Sequence, residues 1–95
     1  MIKVIATITA KADSAEAVKR ALLTLAAASR KEPDCVSYEL FQGEKAPHEF
    51  VTVEEWKTGP AIDAHMKTPH VAAAIGSVGA LLGAPLQVKR YLKAV

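Results

Sequence analysis

Apolar and polar residues alternate along the first ten positions of the chain. Consecutive side chains of a β-strand point to opposite faces of its sheet, so this alternation predicts a strand with one apolar face. The residues that share this face are Ile2, Val4, Ala6 and Ile8. Two later segments, Cys35–Gln42 and Glu49–Trp56, have the composition of strands and are separated by a turn that contains Gly43 and Pro47. They predict a β-hairpin.

A helical spacing of apolar residues follows the first strand. Asp13 and Glu16 stand three residues apart, which predicts a capping box in which the Asp13 side chain accepts a hydrogen bond from the amide of Glu16. The helix is expected to end near Arg30 and Lys31, because Pro33 cannot continue it. Its buried stripe is predicted to contain Val18, Leu22, Leu25 and Ser29, with Ala21 and Ala26 beside them.

Two proline-initiated helices are predicted after the hairpin. Gly59 and Pro60 start a short helix that is expected to run to about Met66. Thr68 followed by Pro69 then predicts the cap and first position of another helix, since proline is tolerated where the amide has no partner within the helix.

The end of the chain completes a recognisable order of elements. Residues 83–85 (Gly-Ala-Pro) are expected to end the last helix, and residues 86–92 to form a fourth strand. The order is therefore β-α-β-β-α-β, the ferredoxin-like or split βαβ arrangement of the α+β class. We expect a single domain over residues 1–95, with one four-stranded antiparallel sheet. The last helix is predicted to bury Val71, Ile75, Val78 and Leu82.

Helices on one face of this sheet would leave its other face bare. Apolar residues nevertheless occur on both faces of the predicted strands, as with Val51 and Val53 opposite Phe50 and Trp56. The chain is 51% apolar, which is high for 95 residues because so small a domain buries only part of its surface. We therefore expect a homodimer in which the bare faces of two sheets pack together, a dimeric α/β barrel.

Charge and cysteine content exclude several kinds of partner. Twelve basic and ten acidic residues are dispersed along the chain, without the basic cluster that nucleic-acid binding requires. No apolar stretch approaches the ~20 residues that cross a bilayer, so no membrane partner is expected. A single cysteine, Cys35, allows no internal disulfide, and Met1-Ile2-Lys3 leads directly into a strand. Both observations favour a cytoplasmic location.

Residues 54–70 gather the only tryptophan of the chain and two of its three histidines. Imidazole suits proton transfer near neutral pH, so His65 on the first short helix is a candidate general base, and His70 at the start of the next helix is a second candidate. The alternative for both is a surface or capping role. A zinc site would need a third ligand, and His48, in the hairpin turn, is not expected to supply it.

Glu54 and Trp56 lie two residues apart on a predicted strand and therefore point to the same side. Either the indole N–H donates a hydrogen bond to the carboxylate, or the pair lines a pocket that contains an acid. Tyr38, on the paired strand, is a candidate source of a phenol hydroxyl. The sequence leaves these alternatives open.

Several short motifs occur in an order that resembles the antibiotic biosynthesis monooxygenase domain family, especially its small quinol monooxygenase-like members. They are residues 32–40 (Glu-Pro-Asp-Cys-Val-Ser-Tyr-Glu-Leu), Phe50 to Trp56 with its Glu-x-Trp, Ala64-His65, and Thr68-Pro69-His70. The resemblance covers nearly the whole chain. It implies a dimeric α+β barrel and a cofactor-independent oxygenation in which a reduced aromatic of the quinol, phenol or anthrone type reacts directly with dioxygen.

The resemblance also implies roles for particular residues. Trp56 and Phe50 would wall a substrate pocket with Glu54, His65 would accept a proton, and Tyr38 or His70 would orient the substrate oxygen. No nucleotide-binding glycine motif or paired cysteines are visible, so no metal, flavin or haem is expected to copurify. The alternative is a non-catalytic or differently catalytic barrel that binds a small ligand, in stress response or signal-molecule processing.

Overall fold

The structure, a computed structural model, describes residues 1–95 and contains the predicted order of strands and helices. The hairpin strands have the predicted bounds, and the fourth strand begins one residue later than predicted. The elements are β1 (Ile2–Thr9), α1 (Ala15–Ser29), β2 (Cys35–Gln42), β3 (Glu49–Trp56), α2 (Gly59–His65), α3 (Pro69–Val78) and β4 (Gln87–Leu92). A single 3₁₀ turn, Gly79–Leu81, separates α3 from β4.

The four strands form one antiparallel sheet in the order β2-β3-β1-β4. This is the ferredoxin-like arrangement, so the predicted fold class is confirmed. The pairing places Tyr38, Glu54, Val4 and Arg90 in one row across the sheet, each on a different strand. Because paired residues share a face, the four side chains of this row point to the same side, toward the helices.

The core lies between the sheet and the helices in two adjoining clusters. One cluster is built around Phe50, which packs with β1 and α1, and the other around Trp56, which packs with Tyr38 and Ile62. Both aromatic side chains are fully buried. Every second residue of β3 is buried on the side of the sheet that faces the helices, as expected for a strand with one buried face.

The N-terminus of α1 departs from the predicted capping box. Ser14 is the N-cap residue, and its carbonyl accepts the first helical hydrogen bond from the amide of Val18 at 3.0 Å. The Asp13 carboxylate instead accepts from the Ser14 hydroxyl at 3.2 Å. With Asp13 bonded to its neighbour and placed one residue outside the cap, its side chain does not reach the amide of Glu16, and the capping-box prediction is wrong.

The buried face of α3 also differs from the prediction. Val71, Ala74 and Val78 are buried, whereas Ile75 is 50% exposed. The helix ends at Val78 and tightens into the 3₁₀ turn, so Leu82 lies beyond the helix, where it pairs with Ala10, the residue that follows β1.

Gly83, two residues after the 3₁₀ turn, is held close to the backbone that follows β1. Its amide donates to the carbonyl of Thr9 at 2.8 Å. A Cβ at this position would lie 3.1 Å from the carbonyl oxygen of Ala10. The small residue predicted to end the helix thus permits a close return of the chain to the sheet.

The outer face of the sheet, defined here as the side away from the helices, is apolar in part. Ile5 and Val53 are paired on β1 and β3 and remain half-buried, and Phe41 and Tyr91 are exposed on the two edge strands. All six residues of β4 are exposed. No helix has both the length and the apolar character needed to span a membrane.

Candidate functional site

A cavity of about 320 Å³ lies between the sheet and the helices. Of its 18 lining residues, 14 are hydrophobic, which suits an apolar ligand at the small end of the usual range of ligand sites. β1 and β3 contribute its floor, and residues of α1, α2 and α3 its sides. The four polar lining residues are Thr52, Glu54, His65 and Arg90.

Glu54 brings a buried carboxyl group to the floor of the cavity. It is 4% exposed, and its two oxygens accept hydrogen bonds from the Thr52 hydroxyl at 2.7 Å and from the Trp56 indole N–H at 2.9 Å. Burial raises the pKa of Glu54, while these two donors and the nearby His65 act in the opposite direction. The hydrogen bond between the indole and the carboxyl group is therefore present, and Glu54 also lines the cavity, whereas Trp56 does not.

The raised pKa of Glu54 makes protein stability depend on pH. Because the folded state holds this proton more tightly than the unfolded chain does, the stabilisation is present below the ordinary value of 4.5 and is lost as pH rises through the folded-state pKa. We expect the free energy of unfolding of the native protein to fall relative to that of Glu54→Gln across this interval. Urea denaturation of both proteins at a series of acidic pH values checks this, and a difference that stays constant or grows with pH contradicts it.

Tyr38 faces the cavity from β2, next to Glu54 in the sheet register. Burial, and then the negative charge of Glu54, raise the pKa of the phenol well above its usual range. Tyr38 is therefore a neutral hydroxyl at physiological pH, able to donate a hydrogen bond but unsuited to accept a proton as phenolate.

His65 occupies the last position of α2. Thr58 caps this helix by accepting from the amide of Ala61 at 3.3 Å, and the helical spacing then puts Ile62 and His65 on the buried side. The imidazole is 3% exposed and lies against Trp56, with ring centroids 4.5 Å apart. It is the only imidazole that lines the cavity.

Glu32, in the loop between α1 and β2, holds this imidazole in place. Its Oε2 lies 2.6 Å from Nδ1 of His65 and 2.7 Å from Nε2 of His70. A carboxylate accepts hydrogen bonds, so the proton of a neutral His65 belongs on Nδ1. Nε2 of His65 is then left as the acceptor nitrogen of a ring that lines the cavity.

The structure brings together only some of the residues that the sequence singles out. Tyr38, Glu54 and His65 line the cavity, but Phe50 and Trp56 lie outside its lining, in the core behind it. His70 lines a separate space between α1 and α3; it shares Glu32 with His65, and the centroids of the two imidazole rings are 5.9 Å apart.

Two further residues of the site are missed by reasoning from sequence. In the sequence, Glu32 is notable only as the first residue of the motif at residues 32–40, and nothing there indicates that it would contact a distant histidine. Arg90 lines the cavity from the exposed strand β4, and its guanidinium donates to the Asp63 carboxylate at 2.6 Å. Its position across the sheet from Glu54 follows only from the strand order.

Comparison with known proteins identifies the family of the chain. The model of the family described as antibiotic biosynthesis monooxygenase matches residues 1–77. The chain belongs to this family. The matched residues contain β1 to α2, most of α3, and both His65 and Glu32.

Solved structures with the same fold include members assigned to this family. A Nitrosomonas europaea protein, whose assignment as an antibiotic biosynthesis monooxygenase is itself provisional, has a TM-score of 0.95 and 26% identity over the whole of both chains. PA3566 from Pseudomonas aeruginosa has a TM-score of 0.92 and 33% identity, covering 99% of this chain and 94% of its own.

A longer relative matches part of the chain. The uncharacterized protein sll1783 of Synechocystis sp. is 33% identical over 63 residues, which are 66% of this chain and 43% of that protein. The matched stretch therefore spans less than half the length of the relative.

Proposed function

We propose that the protein is a cofactor-independent monooxygenase that oxidises a small reduced aromatic, of the quinol, phenol or anthrone type, with dioxygen. The observation that carries the proposal is the hydrogen bond between Glu32 and the buried His65, which leaves an acceptor nitrogen on a ring lining an apolar cavity. Membership of the antibiotic biosynthesis monooxygenase family supports the same class of reaction.

The cavity suits a flat apolar substrate that carries an ionisable oxygen. Its walls are mainly aliphatic side chains, including Leu22, Ile62 and Val71, so an aromatic ring would be desolvated there. The neutral hydroxyl of Tyr38 is available to bond the substrate oxygen and to orient it toward His65.

Proton transfer to His65 is the first chemical step of the proposed reaction. Nε2 accepts the proton of the substrate hydroxyl, and the imidazolium that results is stabilised by the carboxylate of Glu32, bonded to Nδ1. The guanidinium of Arg90 also lines the cavity and favours the substrate anion. The protein thus raises the fraction of the electron-rich anion without a metal or flavin.

Oxygenation then uses electrons from the substrate alone. A ring CH₂ group of an anthrone becomes a carbonyl, with one oxygen atom of dioxygen entering the product and the other leaving as water. For a hydroquinone, a ring C–H becomes C–OH and the ring is oxidised to the quinone, again with release of one water. Neither balance requires an external reductant.

Oxygen consumption tests this proposal. A panel of hydroquinones, simple phenols and anthrones should include at least one that consumes dioxygen and gives one oxygenated product per dioxygen used, in the presence of a metal chelator. Binding of these compounds without oxygen uptake would instead favour the ligand-binding alternative.

We also propose that the protein is a homodimer joined through the outer face of its sheet. Val53 is half-buried near the centre of this face, where a second sheet would cover it. Sedimentation should show a dimer at micromolar concentration and a monomer for Val53→Glu. Leu23→Glu, on the exposed side of α1, should remain a dimer. A monomeric wild-type protein, or equal effects of the two variants, contradicts this assembly.

A further inference from the structure

Three metal-ligating side chains meet beside the cavity, although they are far apart in sequence. Glu32 Oε2, His65 Nδ1 and His70 Nε2 all lie within 4.8 Å of one another. They come from three different segments, namely the loop before β2, the end of α2 and the first turn of α3. His65 is buried, while the side chains of Glu32 and His70 are 16% and 24% exposed. A small ion can therefore reach the cluster from solvent.

The donor set is typical of a particular class of ion. Two imidazole nitrogens and one carboxylate oxygen are the protein ligands of open zinc sites, and similar sets bind other divalent transition metals. Magnesium and calcium prefer sites made of oxygen atoms and are disfavoured here. His48, the remaining histidine of the chain, is not part of the cluster, and Glu32 supplies the third ligand.

The present hydrogen bonds occupy the space in which an ion would lie. Oε2 of Glu32 lies between the two nitrogens, at 2.6 and 2.7 Å, where it bonds to both rings. Zinc forms bonds of about 2.0 to 2.2 Å to such ligands, so the carboxylate must withdraw to admit it. Glu32 is part of a loop and partly exposed, which permits that rotation without disturbing the core.

We propose that Glu32, His65 and His70 form a binding site for a divalent transition-metal ion such as Zn²⁺. The ion replaces the hydrogen bonds that join the three side chains, and the remaining coordination positions are filled by water. This site lies outside the lining of the main cavity except for His65, which belongs to both.

Metal binding has a consequence for the reaction that rests on the proposed function. An ion on Nδ1 of His65 displaces the proton from that nitrogen, so the proton of the neutral ring moves to Nε2. Nε2 then donates a hydrogen bond and cannot accept the substrate proton. Zinc therefore acts as an inhibitor of the monooxygenase, and His65 serves either as a base or as a ligand.

Calorimetric titration of the metal-free protein with Zn²⁺ tests the site without any substrate. One ion should bind per chain, and Glu32→Gln and His70→Gln should each weaken binding at least tenfold, in line with the roughly 10- to 100-fold losses that follow even from changes to groups around metal ligands. His48→Gln is the matched control and should bind as the wild type does. Co²⁺ should give the visible absorption bands of histidine-ligated cobalt in the wild type and in His48→Gln, but not in Glu32→Gln or His70→Gln.

The outcomes separate the metal site from the proposed function. Unchanged zinc affinity in Glu32→Gln and His70→Gln, or no binding by the wild type at millimolar Zn²⁺, overturns the site. If no quinol is ever oxidised, the titration still decides whether the metal site exists. Where turnover is found, zinc saturation should abolish it in the wild type, and full activity of the zinc-bound wild type overturns the inhibitory role.

Discussion

Replacing His65 with alanine should lower the turnover of a reduced aromatic substrate by roughly 100-fold or more, within the usual range for loss of a general base. His65 supplies the only imidazole of the cavity lining, and its Nδ1 is already bonded to Glu32. Without it, no group of comparable basicity is placed to accept the substrate proton. Steady-state oxygen consumption with a substrate that the wild type oxidises gives the comparison.

A second substitution separates proton transfer from structural support. His65 is buried against Trp56, so alanine leaves a space and removes the bond to Glu32. His65→Asn retains a side-chain N–H that can donate to Glu32 but has no acceptor at the position of Nε2. It should lose activity to a similar extent while keeping the wild-type melting temperature. Full activity in either variant would show that the base lies elsewhere.

Replacing Trp56 with alanine should destabilise the protein by about 3 to 5 kcal/mol, the usual range for large buried aromatic side chains. Trp56 is fully buried in the second core cluster and packs against His65. The substitution also removes the indole donor to the Glu54 carboxylate and leaves a buried acceptor with one partner fewer. Urea denaturation at neutral pH measures the loss.

Trp56→Phe is the control for this prediction, because it keeps an aromatic ring but has no N–H group. We expect a smaller loss of unfolding free energy than for alanine, since most of the buried apolar surface is retained. An effect below about 1 kcal/mol for the alanine variant would contradict the inferred contribution of Trp56 to the core, because such values are typical of exposed positions.

The sequence was sufficient for the strands but not for the orientation of the last helix. β2 and β3 were placed correctly because Pro33, Gly43 and Pro47 mark their limits and strand residues alternate between them. In α3, a helical period alone does not distinguish Ala74 from Ile75 as the buried residue. Packing against α1 buries Ala74 and leaves the larger side chain half exposed. The rotation of α3 about its own axis decides which of the two residues is buried. It depends on contacts between helices, which a local sequence pattern does not encode.

The contacts within the candidate site were predictable only between residues that are neighbours in one element. The shared side of Glu54 and Trp56 followed from strand alternation, and their hydrogen bond is present. Glu32 lies 33 residues from His65 and 38 from His70 along the chain, so their contact depends on how the loop before β2 meets α2 and α3. Phe50 was expected to line the pocket but lies in the core behind it. How deeply a residue is buried depends on how the sheet and the helices pack together, which the sequence of one strand does not reveal.

Formation of the substrate anion in the absence of dioxygen is the most direct test of the central claim. Oxygen removal stops the reaction after proton transfer, so the absorption spectrum of a bound anthrone or hydroquinone reports its ionisation. We expect the spectrum of the anion with wild-type protein at neutral pH and that of the neutral compound with His65→Asn. A bound substrate that stays neutral in the wild type, or that ionises equally in the variant, would contradict it.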